Sequence, residues 1–151
     1  MGICSRMAKQ NPSHSLDHAR HNEKVFKSLD RDQDNLDWVI TIAFYSALHY
    51  VRYKIFPLTL KKENGDPHTH NSFDDYSSYH RYSGTGKHEM LLELVSEHCP
   101  QIIYEYNQLK DVCWTARYVD YKFDREVSNL AKKHQKAIKD FCEPPSHDVE
   151  G

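Results

Sequence analysis

Trp38-Val39-Ile40-Thr41-Ile42-Ala43-Phe44-Tyr45-Ser46-Ala47-Leu48-His49-Tyr50-Val51-Arg52-Tyr53-Lys54-Ile55-Phe56 is the stretch on which the fold turns. With Leu36 just ahead of it, Ile40, Ala43, Ala47, Val51 and Ile55 recur at three- and four-residue steps, the period of one helix face. Trp38, Ile42, Tyr45, His49 and Tyr53 keep the same period on a second face. A helix that is apolar almost all round requires burial on two sides. Asp34 or Asn35 is placed to cap its start and Pro57 to end it. The run approaches the length of a membrane span, but His49, Arg52 and Lys54 fall within it, and ionisable residues in lipid are costly. A helix buried among other helices accounts for it, and no membrane role is expected.

Working outward, Ser13 or Ser15 caps a first helix running to about Leu29, with Leu16, Ala19, Phe26 and Leu29 near one face. Beyond Pro57, apolar periodicity stops from Lys61 to Lys87, and this segment reads as one long irregular loop. Such loops in compact domains are usually functional or disordered. A third helix spans about Lys87 to His98, carrying Met90, Leu91, Leu94 and Val95. Pro100 suits the first turn of a fourth, where no amide hydrogen is needed. The fourth helix puts Ile102, Ile103, Tyr106, Leu109, Cys113 and Ala116 on one stripe, with Arg117 and Tyr121 on its margin. Asp124 caps a fifth, whose apolar positions are Val127, Leu130, Ala131, His134, Ala137, Ile138 and Phe141, and Pro144-Pro145 stops it. These elements predict an all-α single domain over 1–151: an antiparallel bundle of about five helices with one long loop between the second and third, and flexible tails at 1–12 and 143–151.

Composition agrees with helices. Five Gly and six Pro in 151 residues leave little turn chemistry for an all-β fold. A formal net charge of -2 gives no argument for nucleic-acid binding, so any basic patch must be local. The four cysteines, at 4, 99, 113 and 142, form no CxxC pair, which fits reduced thiols and a cytoplasmic location. Arg6 stands where a myristoylation signal takes Ser or Thr, and no apolar signal-peptide core follows.

Several constellations carry chemistry. His88 falls at the start of the third helix, where the helix dipole lowers proton affinity and favours a base near neutral pH. Arg81 precedes it with six residues between, close enough in sequence to stabilise charge on a phosphoryl oxygen. Arg117 never loses its charge, so at a buried margin it needs a carboxylate, carbonyls or a phosphate, and Asp120 is a candidate partner. His49 sits among Tyr45 and Tyr53, either as a second base or as a core imidazole held by a Tyr hydroxyl. His14, His18 and His21, and His68 and His70 near Asp66, Asp74, Asp75 and His80, invite a metal argument. No ligand geometry is fixed by them and no Glu-x-x-His pair repeats on two helices, so no metal and no cofactor is assigned. Arg125, Lys132, Lys136 and Lys139 trace a basic line that either tracks phosphates or is a solvated helix face.

In order along the chain these motifs resemble the HEPN superfamily, small helical bundles named as nucleotide-binding domains of higher eukaryotes and prokaryotes. The resemblance covers about Leu16 to Phe141. Ala43-Phe44-Tyr45-Ser46-Ala47-Leu48-His49 is similar to the family's Tyr-centred second helix, and Gly86-Lys87-His88 resembles a Lys-Thr-His-type turn. Arg117 with Val119-Asp120-Tyr121 resembles an Arg-x-x-Ala-Asp-Tyr segment; Lys122 stands where ribonuclease members would place a His after that Arg.

The resemblance implies a homodimer that binds RNA or a nucleotide, and in ribonuclease members a metal-independent cleavage of the kind used in toxin–antitoxin or defence systems. Carried over, it implies His88 as acid/base with Arg81 or Arg117 as phosphate clamp, His49 as a second candidate base, and Tyr45, Tyr53, Tyr118, Asp120 and Tyr121 as ligand contacts. Two other readings stay open: a noncatalytic module whose aromatic face docks a partner protein, and a metal-dependent bundle hydrolase.

Overall fold

The computed structural model describes residues 12–80 and 84–143, so Arg81 and nearly all of the expected tails lie outside the described residues. The chain is mostly helical. In order it forms α1 (Pro12–Leu29), a 3-10 turn (Gln33–Asn35), α2 (Leu36–Ile55), β1 (Leu58–Lys61), β2 (Pro67–His70) and α3 (Phe73–Tyr79). There follow α4 (Lys87–His98), a 3-10 turn (Pro100–Ile102), α5 (Ile103–Tyr118) and α6 (Arg125–Cys142).

α2 is the centre of the core. It packs against α1, α5 and α6, and Val39, Ile40, Ala43, Ala47, Tyr50 and Val51 are fully buried. Its second face differs from expectation: Trp38 is 57% exposed, while Ile42, Tyr45, His49 and Tyr53 are half-buried. The helix ends at Ile55 with Phe56 as its C-cap, and Pro57 follows the cap as anticipated, since proline cannot continue a helical ladder. No helix among the described residues is long and apolar enough to cross a membrane.

The segment after Pro57 corrects the expectation of one long irregular loop. β1 and β2 pair antiparallel, Leu58 opposite His70 and Lys61 opposite Pro67. The connection turns at Asn64-Gly65, with Gly65 at φ 85, a conformation glycine adopts without steric cost. Asn64 accepts a hydrogen bond from the Asp66 amide at 3.0 Å, and the Lys62 amide donates to the Asp66 carbonyl at 2.8 Å. Next, Ser72 caps α3 by accepting from the Asp75 amide at 3.1 Å, and Phe73 is buried. The described residues therefore contain six α-helices and a hairpin rather than about five helices and a loop.

Two other elements differ in detail. α5 ends at Tyr118, so Tyr121 is not on the margin of that helix. α6, capped by Asp124 as expected, turns Ser128, Ala131, Gln135, Ile138 and Cys142 inward and leaves Leu130 exposed. A polar network explains why Gln135 is among them. Glu23 on α1 accepts from Lys139 at 2.8 Å, Lys27 at 2.7 Å, Gln135 at 3.1 Å and the Tyr50 hydroxyl at 3.3 Å. Gln135 also donates to Ser46 at 3.2 Å, whose hydroxyl reaches the Ala19 carbonyl at 2.8 Å. A buried carboxylate is tolerated only when its lone pairs are filled, and α6 faces inward with the residues that fill them.

Candidate functional site: an Arg–Tyr–His cleft

The cleft is assembled from three helices. α2 supplies Phe44 and Tyr45, α4 supplies His88 in its first turn, and α5 supplies Lys110, Cys113, Trp114, Arg117 and Tyr118. Tyr45 Oη accepts a hydrogen bond from Arg117 Nη1, tying the last turn of α5 to the middle of α2. The guanidinium carbon lies 5.6 Å from the Tyr45 ring centre and 5.0 Å from that of Tyr118. A guanidinium between two aromatic faces keeps its charge and its remaining N–H groups while its plane is fixed.

The electrostatics follow from burial beside cations. The proton affinity of His88 is lowered first by burial, then by Lys110, Arg52 and Arg117, with Glu89 opposing. Its ring is thus a neutral acceptor near neutral pH, 6.1 Å from the Phe44 ring. Burial raises the Tyr45 hydroxyl's pKa against the pull of Arg117, so Tyr45 stays protonated and the bond to Arg117 runs from a cation to a neutral oxygen. Lys110 lies 3.3 Å from Glu89. At the rim, the Trp114 and Tyr118 rings are 5.5 Å apart and 60% and 63% exposed.

The cavity measures about 150 Å³. Pockets that enclose whole ligands usually run from about 300 to 1,000 Å³. This cleft therefore receives one group of a larger molecule rather than swallowing a nucleotide. Its chemistry is a fixed cation, a second cation nearby, a neutral imidazole and exposed aromatic faces.

His88, Arg117, Tyr45 and Tyr118 come together here; the other candidates do not. His49 lies instead against α1, its ring face to face with His18 at 3.8 Å. Burial, then His18, Arg52 and His14, lower its pKa to about 3. Tyr53 does not line the cleft. Asp120 and Tyr121 are exposed past the end of α5, and Asp120 accepts from the Lys122 amide at 3.0 Å. Arg117 therefore takes a tyrosine hydroxyl where Asp120 was expected. Arg81 lies outside the described residues.

The basic line on α6 is answered by acids. Arg125 and Lys132 both bond Asp30, Lys136 bonds Asp140 at 2.6 Å, and Lys139 bonds Glu23 at 2.8 Å. Each of the four cations has a carboxylate partner within the fold. His70, which had been grouped with the possible metal ligands, is buried with Nδ1 3.1 Å from Asp75. No group of three or more His, Cys, Asp or Glu able to hold a metal occurs among the described residues. Cys99, Cys113 and Cys142 are free and buried, and burial pushes Cys113 up to about 11 and Cys142 to about 12. Lys110 and Trp114 were the cleft residues that sequence reasoning passed over. Their signal was spacing: 110, 114, 117 and 118 share one face of α5.

No family model, no curated protein and no solved structure matches this chain.

Proposed function

We propose that this chain is a HEPN-like antiparallel helical bundle, dimeric in solution, that binds single-stranded RNA at the Arg117–Tyr45–His88 cleft and cleaves it without metal. The observation that carries the reading is the bond from Arg117 to Tyr45, which fixes a solvent-facing guanidinium beside an imidazole kept neutral by burial. Phosphate contacts supply most of the affinity in such binding, and exposed aromatic rings add base stacking without sequence preference. Trp114 and Tyr118 at the rim suit that role, and a cleft of about 150 Å³ suits one backbone phosphate of an extended strand.

In the cleavage step His88 takes the proton of a ribose 2′-hydroxyl, whose oxygen bonds to the adjacent phosphorus. Arg117 stabilises the charge that develops on the phosphorane oxygens. The P–O5′ bond then breaks, leaving a 2′,3′-cyclic phosphate and a 5′-hydroxyl that takes up the proton. Incubation of single-stranded RNA with the protein in EDTA should yield 2′,3′-cyclic phosphate ends, and His88→Ala should abolish them while leaving the fold and RNA affinity nearly unchanged. Cleavage by His88→Ala equal to wild type would overturn the catalytic assignment.

A noncatalytic interaction module is the second reading, favoured by the exposure of Trp38, Trp114, Tyr118 and Tyr121. A dimer weakened by Trp38→Ala, together with no RNA affinity, would support it instead.

A further inference from the structure

A second cavity of about 230 Å³ lies away from the cleft, between α1, α2 and the start of α3. Its polar wall includes His14 and His18 from α1, His49 and Arg52 from α2, and Asn71, Ser72 and Asp74 at the start of α3, and its apolar wall includes Phe56 and Phe73. Arg52 is the unusual member. It is half-buried and its Nε is closed to solvent without a hydrogen-bond partner. Among the described residues it forms no ion pair, and its guanidinium lies over the Phe73 ring at 4.6 Å. A guanidinium stays charged even when buried, so its donors require acceptors.

None of the described residues accepts a hydrogen bond from Arg52 Nε. Asp74, the acidic residue of the cavity wall, raises the proton affinity of Arg52 only through space. Its carboxylate is exposed and lies 3.9 Å from Lys87, which offsets its charge. The two stacked imidazoles, 3.8 Å apart and 20° from parallel, are both held neutral by burial and by neighbouring positive groups. Each neutral ring offers one N–H donor and one nitrogen acceptor.

We propose that this His18–His49–Arg52 cavity is a binding site for a phosphate group, free or at the end of a small ester. Arg52 donates to the oxygens, the imidazole N–H groups add donors from a second direction, and an imidazole acceptor takes the P–OH of the monoanion. Sulfate has no such proton to give. The cavity exceeds a bare phosphate, and Phe56 and Phe73, their rings 6.2 Å apart, are placed to cover a small organic portion. The proposal does not rest on RNA binding at the cleft.

The test is calorimetric titration of the whole protein with inorganic phosphate, ribose 5-phosphate and sulfate, with the histidine imidazole signals followed by NMR. Saturable binding of phosphate or the ester is expected, with movement of the His18 and His49 signals and weaker binding of sulfate. Equal binding of the first two marks a site for the free ion; a preference for ribose 5-phosphate marks the ester. Arg52→Gln should weaken binding by about tenfold to a hundredfold, as for loss of a charged hydrogen bond. Because Arg52 is half-buried, His18→Gln at the exposed mouth provides a variant that folds, and it should weaken binding several-fold. Absence of saturable binding, signals that move only at His88, or unchanged binding by His18→Gln would each overturn the proposal.

Discussion

Arg117 and Tyr45, seventy-two positions apart, meet where the last turn of α5 crosses the middle of α2, and the arginine donates to the tyrosine hydroxyl. The bond takes one guanidinium N–H to a neutral oxygen, and no carboxylate among the described residues pairs with the exposed charge. An arginine with a carboxylate partner would be closed to a phosphate; one anchored to a hydroxyl is oriented but still open. The cleft's claim to function rests on that difference.

Tyr45→Phe should keep the fold and weaken RNA binding by a few-fold, since it removes the anchor but not the charge. Arg117→Ala should remove one phosphate contact, and the slope of log affinity against log salt should fall by about 0.7 for a single strand. Fluorescence anisotropy across a salt series reads both.

Trp114 is 60% exposed at the cleft rim, and its emission should be quenched as RNA bases stack on it. Trp114→Ala should cost about 1–3 kcal/mol of binding, the range for one base–aromatic contact. Quenching that survives in Trp114→Phe would point to Trp38 instead.

Stability should fall on the acid side for two reasons of the same sign. The His49 imidazole is held near 3 in the fold against an ordinary value of 6.5, so the unfolded chain binds more protons between those values. Its contribution is therefore complete above about pH 6.5 and is lost as pH falls towards 3. His49→Gln should flatten the pH dependence of the urea midpoint in that window.

Glu23 gives the second. Burial alone would raise its pKa, but hydrogen bonds from Lys139, Lys27 and Gln135 outweigh it and hold it at about 2. A carboxylate held below its ordinary value stabilises the fold above about pH 4.5, and that contribution, roughly 3 kcal/mol by linkage, is lost as pH falls towards 2. Glu23→Ala should destabilise the protein by about 3–5 kcal/mol at neutral pH, because it strands Lys139 and Gln135 without their acceptor. Chemical denaturation measures it.

The helices were legible because their signals are local. Leu36 to Ile55 carries its own period, Pro57 its own stop, and Asp124 accepts from the Val127 amide at 3.0 Å as a cap should. The hairpin was missed although Asn64-Gly65 stands between Leu58-Thr59-Leu60 and His68-Thr69-His70, a pattern for a tight turn. β1, Leu58-Thr59-Leu60-Lys61, alternates over only four residues and β2, Pro67-His68-Thr69-His70, is polar, so the pair is too short a signal to announce itself. The inward face of α6 was legible at Ala131 and Ile138, which are buried, and at Val127 and Phe141, which pack against the core, but not at Gln135, which Glu23 on another helix recruits. Tertiary hydrogen bonding of that kind has no signature within its own helix. The same holds for Arg117, whose sequence neighbour Asp120 was the expected partner and whose actual partner is remote.

The measurement that bears most directly on the account is the affinity of a labelled single-stranded RNA for wild type and Arg117→Ala at one fixed salt concentration, with far-UV circular dichroism confirming the fold of both. Saturable wild-type binding that weakens by about tenfold or more in the variant is the predicted result. Equal affinities, or no binding by the wild type, would contradict a role for the Arg117–Tyr45–His88 cleft in holding RNA.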